Sequence, residues 1–79
     1  MDQNNLTLIS GDNWEGIYHN GLLIYEGHEI GRKYLVDYMK TFQTFDVEFI
    51  WLVDGGDAWL ENEGCYPARY LDIPMQYIE

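Results

Sequence analysis

The chain has 79 residues, which is enough for one domain with a small core and excludes a TIM barrel, a Rossmann unit plus a substrate domain, and a large catalytic cleft. Apolar residues make up 47% and aromatics 16%, too much for a disordered tail. Four basic against fourteen acidic residues leave a net charge of −10, so direct binding to nucleic acid or anionic lipid is not expected.

Residues 1–5 are polar and read as a flexible N-terminal tail on a single domain, 1–79. They carry no basic leader, and no apolar run approaches the ~18 residues of a membrane span. Neither a signal peptide nor membrane contact is expected. Cys65 is the lone cysteine, so no internal disulfide is possible, which suits a reducing cytoplasm.

Leu6–Ile9 reads as a short strand, and Ser10–Asn13 is turn chemistry. Two strand-like runs within 14–28 flank Asn20-Gly21. That pair tolerates positive φ at both turn positions, so a β-hairpin is expected. Regular pairing places Tyr18 opposite Leu23, Ile17 opposite Ile24, Gly16 opposite Tyr25 and Glu15 opposite Glu26. Trp14, Tyr18, Leu23 and Tyr25 then share one face, with Tyr25 over bare Gly16. Ile17, Leu22 and Ile24 share the other.

The segment 30–42 reads as a helix whose stripe is Tyr34, Leu35, Tyr38, Met39 and Phe42. The segment 46–53 reads as a strand. Its apolar run Ile50–Val53 suggests a central strand covered on both sides, with Trp51 in the core. Asp54–Asp57 is a turn, and Asp57 is expected to cap a short helix, 58–63, that Gly64 ends. Pro67 and Pro74 break the remainder, with 75–78 a candidate edge strand. The fold class is α+β: a small, mostly antiparallel sheet with one packed helix and a short second one.

Little in the chain points to catalysis. Two His and one Cys lack metal-ligand spacing. Glu15, Glu26 and His28 at the open hairpin end read as a solvated sheet end. Asp54-x-x-Asp57 lacks the spacing of a calcium loop. No nucleophile–base pair or phosphate-cradling loop is present. The expectation is a non-enzyme with no catalytic residue, metal or cofactor.

The acid distribution is more informative. Residues 43–79 hold eight acids and one base, against six and three before them. The stretch 46–63 holds six acids and no base. Carboxylates around an aromatic suit a basic protein surface, with charge steering the encounter. Asp46, Glu48, Asp54, Asp57, Trp59, Glu61 and Glu63 are the candidate partner-binding residues, with Trp59 as anchor. A purely solubilising surface is the competing reading. One helix cannot cover both hairpin faces, so Ile17, Leu22 and Ile24 are candidates for self-association, unless terminal segments cover them.

A second functional reading is a sponge that holds a nucleotide-derived signal between protomers. Trp14, Tyr18 and Tyr25 would stack its base, and Arg32, Lys33 or Arg69 would meet phosphate. A virion component is a third.

The run Trp14-Glu15-Gly16-Ile17-Tyr18-His19-Asn20-Gly21 through Glu26-Gly27-His28 resembles small acidic proteins of tailed phages. Ala58-Trp59-Leu60-Glu61 and 67–73 are also similar to the acidic tails of such proteins. The chain departs from them at its N-terminus and at Cys65-Tyr66-Pro67. No site residue follows from the resemblance. It implies genomic context: small acidic phage proteins commonly bind and disable a bacterial protein. Together with the charge of −10, its skew to the C-terminal half and the absent catalytic constellation, the expectation is an anti-defence protein in the bacterial host cytoplasm that binds and inhibits a defence or nucleic-acid-processing protein. Some such proteins imitate phosphate charge, as uracil-DNA glycosylase inhibitors do.

Overall fold

A computed structural model describes residues 4–79. Four strands form one sheet: β1 (Leu6–Ser10), β2 (Glu15–His19), β3 (Leu22–Gly27) and β4 (Val47–Trp51). Their order is β3-β2-β1-β4, antiparallel except for the parallel pair β1–β4. The α+β class holds, and the sheet is mixed because the helix α1 (Arg32–Phe42) carries the chain from one edge to the other. A parallel return needs such a crossover.

Period-two alternation divides the core in two. Leu6, Leu8 and Ile17 join Ile30 on one face, under Leu35, Tyr38, Met39 and Phe42. These four belong to the expected stripe of α1. Ile9 and Tyr18 face the other way and pack with Leu60, Tyr66 and Ile73. That second layer is the C-terminal third: α2 (Gly56–Glu63) and two 3-10 turns, Tyr70–Asp72 and Met75–Tyr77. The hairpin is thus covered on both faces. Ile17 is fully buried, Ile24 is half-buried against the α1-side core, and only Leu22 of the proposed self-association set is exposed. Ile17 and Ile24 belong to the core, which corrects that expectation.

The Asn20-Gly21 turn forms as expected, with φ of 52° and 84°. His19 pairs with Leu22 and Tyr18 with Leu23. A bulge then intervenes, and Ile17 pairs with Tyr25 rather than Ile24. Beyond it Gly16 pairs with Glu26, and Glu15 with Gly27. The extra residue reverses the facing of everything after it. Tyr25 lies on the α1 side, stacked on Tyr34 at 6.4 Å. Glu26 turns to the C-terminal layer and accepts hydrogen bonds from Trp14 Nε1 (2.8 Å) and Tyr66 N (3.0 Å). Glu15 accepts from Ser10 Oγ and from Ile30 N, both at 2.7 Å. The expected Glu15–Glu26 opposition does not occur. Tyr66, not Tyr25, covers Gly16, where an added Cβ would sit 2.7 Å from the ring.

Three further expectations change. The segment 46–53 is not a central strand, because β4 is an edge. The short helix begins at Gly56 from a left-handed Gly55 (φ 87°) with no side-chain cap. Asp57 instead accepts a hydrogen bond from Asp12 N at 2.8 Å. Residues 75–77 form a 3-10 turn, and Ile78 makes a single antiparallel bridge to Leu52. Gly64 ends α2 at φ 83°, as expected. Residues 1–3 of the expected tail lie outside the described residues. Asn4 and Asn5 are tied down: Asn4 Nδ2 donates to Phe42 O (2.8 Å), and Asn5 N to Asn20 Oδ1 (3.0 Å). Among the described residues, no helix is long and apolar enough to cross a membrane.

Candidate functional site

β4 carries the most conspicuous surface. Val47, Phe49 and Trp51 share the sheet face that α1 covers, and Ile50 and Leu52 point into the opposite core. The stripe of α1 reaches Val47 and stops. Phe49 is therefore 48% exposed and Trp51 57%, and Phe45, just before the strand, is 93% exposed. Carboxylates adjoin them: Asp46 and Glu48 are exposed on the same segment, and Asp54 in the turn beyond. Isolated exposed apolar residues need no explanation, but Phe49 and Trp51, two residues apart on one strand and on the same face, form a patch. Leu71 and Met75, one on each of the two 3-10 turns, are also exposed.

The two tryptophans of the acidic stretch exchange the roles expected of them. Trp51, assigned to the core, is exposed because its strand is an edge. Trp59, assigned as the anchor, is half-buried against the C-terminal core and stacked on Tyr77 at 5.7 Å. The acids also divide. Asp46 and Glu48 line one groove with Thr7, Asn20, Tyr70 and Leu71. Asp57 and Glu61 line another with Trp14 and His28, and Glu63 is exposed at the end of α2. The alternation of Val47, Phe49 and Trp51 is legible in the sequence, but a strand taken as central gives Phe49 no exposed role, and Phe45 precedes the expected strand.

The second groove encloses about 410 Å³. Trp14 forms its apolar wall, edge-on to His28 with centroids 4.8 Å apart. Its charged lining is Asp12, Asp57 and Glu61, with no Lys or Arg. This lining disfavours an anionic ligand. The residues suggested for a nucleotide sponge do not converge either. Tyr18 is fully buried, donates to Pro67 O at 2.6 Å, and has its hydroxyl pKa pushed up by burial. Tyr25 lies across the sheet from Trp14, on the side of α1, where Arg32 and Lys33 begin that helix. Arg69 is bridged to Leu22. A stacking platform beside a basic pocket is not assembled from these six.

Among the described residues, no group of three or more His, Cys, Asp and Glu is placed to hold a metal ion. Cys65 is exposed and unpaired. No protein-family model matches the chain, and neither the curated proteins nor the solved structures searched contain a match.

Proposed function

We propose that the protein is a non-enzymatic binding protein that inhibits a bacterial protein by seating its acidic, aromatic surface on a basic one. The observation that carries this reading is the pairing of exposed Phe49 and Trp51 with a stretch of six acids and no base. Aromatics supply contact area at low entropic cost, and charge supplies steering and partner choice. The phage-type setting, the bacterial host and a defence or nucleic-acid-processing target rest on the motif resemblance and on the charge.

The experiment is affinity capture from bacterial lysate, followed by an activity assay of the captured protein. We expect capture to weaken at least tenfold between about 50 mM and 500 mM NaCl, as screening shortens the reach of charge. We expect Trp51→Ser to abolish it, while Tyr25→Ser on the opposite sheet edge leaves it intact. Capture that ignores both salt and Trp51, or a captured protein whose activity is unchanged, refutes the reading.

A further inference from the structure

We infer that the β4 edge binds its partner by strand addition, and that the segment it takes is extended, with Lys or Arg alternating with apolar residues. This rests on the binding-protein reading above and specifies its geometry.

The backbone pattern comes first. Leu6 N donates to Asp46 O, and Leu52 N donates to Ser10 O, both at 2.9 Å. In a parallel ladder, bonding residues alternate along each strand. Asp46, Glu48, Ile50 and Leu52 therefore direct their amide and carbonyl groups toward β1. Val47, Phe49 and Trp51 direct theirs away from the sheet. The chain itself uses the last of these: Glu79 N donates to Trp51 O at 3.1 Å, and Val53 N donates to Tyr77 O at 2.8 Å. The C-terminal end of β4 is thus closed by an antiparallel segment at 77–79. The opposite sheet edge is closed at its start in the same way: Leu23 N donates to Ala68 O and Tyr70 N to Gly21 O, both at 2.8 Å. Among the described residues, Val47 and Phe49 have no such cover.

Exposed edges are normally blunted by charged side chains, above all lysine, by proline or by a bulge; on β4 the one charge is Glu48, which bars a like-charged copy and admits a cationic strand. Val47-Glu48-Phe49-Ile50 contains no lysine or proline, and its pairing with β1 is regular. An added strand lies about 4.8 Å away and presents its side chains alternately to the two faces. On one face they meet Phe49 and Trp51, which favours apolar residues. On the other they meet Glu48, with Asp46 beside it, which favours Lys or Arg. Charge also selects against a second copy of this chain. Two molecules of net charge −10 would oppose each other, and antiparallel pairing would bring Glu48 near its own counterpart.

The test uses the full-length protein and a blocked peptide, Lys-Val-Arg-Val-Lys-Ile-Arg, followed by amide hydrogen exchange and NMR titration. Binding should slow exchange at the Val47 and Phe49 amides at least tenfold and leave Glu48 and Ile50, already bonded to β1, unchanged. Methylating the peptide nitrogens that face β4 should weaken binding at least tenfold. Trp51→Ser should weaken it too, without altering the circular dichroism spectrum. Equal binding of the methylated peptide overturns strand addition but leaves the acidic-surface reading standing. Equal binding of a second blocked peptide, with Glu in place of each Lys and Arg, overturns the choice of a basic segment. A dimer in light scattering with Val47 and Phe49 protected overturns the choice of partner. If neither peptide binds while a captured basic protein still does, strand addition alone is wrong.

Discussion

Two tyrosines fasten the sheet to the C-terminal layer. Tyr18 is fully buried and Tyr66 is 1% exposed. Tyr18 donates to Pro67 O, and Tyr66 donates to Trp14 O at 3.0 Å. Removal from water raises both hydroxyl pKa values, with neighbouring carboxylates adding to the effect. In the unfolded chain these phenols ionise near pH 10. Above that pH the unfolded state sheds protons that the folded state keeps, so stability present below about pH 10 is lost as pH rises. Each tyrosine contributes a slope of up to about 1.4 kcal/mol per pH unit. Urea midpoints should hold steady to about pH 9.5 and fall steeply above it. A midpoint unchanged at pH 11 would refute the burial of both rings. Gly16 makes a sharper test of the same contact. Its missing Cβ is what lets the Tyr66 ring lie against the strand. Gly16→Ala should cost about 1–3 kcal/mol by overpacking, read as a lower urea midpoint. A neutral outcome would mean that the ring lies elsewhere.

Among the elements, the hairpin shows most clearly what a sequence displays and what it conceals. Asn20-Gly21 announces the turn, because only such residues accept its dihedrals cheaply. The α1 stripe is equally plain, because five apolar residues at helical spacing fit nothing else. The bulge is invisible: Ile24 is an ordinary strand residue, and no glycine or proline marks the slip. Missing it sends Tyr25 and Glu26 to the wrong faces. β4 fails for another reason. An apolar run reads the same whether its outward aromatics are covered or bare, so the exposure of Phe49 and Trp51 is not legible even where the strand is. The C-terminal layer, with Tyr66 and Ile73, is irregular and has no period to read. The bulge also yields an unusual expectation. Deleting Ile24 removes the extra residue and leaves Ile17–Tyr25, Gly16–Glu26 and Glu15–Gly27 paired as they are. Glu26 should keep Trp14 and Tyr66. The cost should be only the half-buried Ile24 side chain, about 1–2 kcal/mol. The indole proton of Trp14 should remain protected from exchange. An unfolded chain, or a freed indole, would show that the bulge is indispensable.

At the scale of the whole molecule, net charge works against stability. Fourteen carboxylates and four cations share a chain whose radius of gyration is 12.1 Å. The carboxylates with structural roles take neutral donors. Glu15 holds Ser10 and the Ile30 amide, Glu26 holds Trp14 and the Tyr66 amide, and Asp57 holds the Asp12 amide. Their negative charge is thus satisfied locally but not cancelled. Compaction brings these charges closer than they are in the expanded chain, so repulsion opposes folding. Salt screens it: the Debye length falls from about 30 Å at 0.01 M to about 4 Å at 0.5 M. Sodium chloride over that range should stabilise the fold by about 1–2 kcal/mol, raising Tm by roughly 5–15 °C for a domain of this size. Chloride rather than sulfate keeps general salting-out small. The rise should follow the square root of ionic strength at the low end, as screening requires. On the proposed function the same salt should weaken capture of a basic partner, so one titration should move the two quantities in opposite directions. A Tm that falls with salt would mean that attractive pairs outweigh the repulsion, and the acidic surface would then be internally neutralised rather than free to meet a cationic strand.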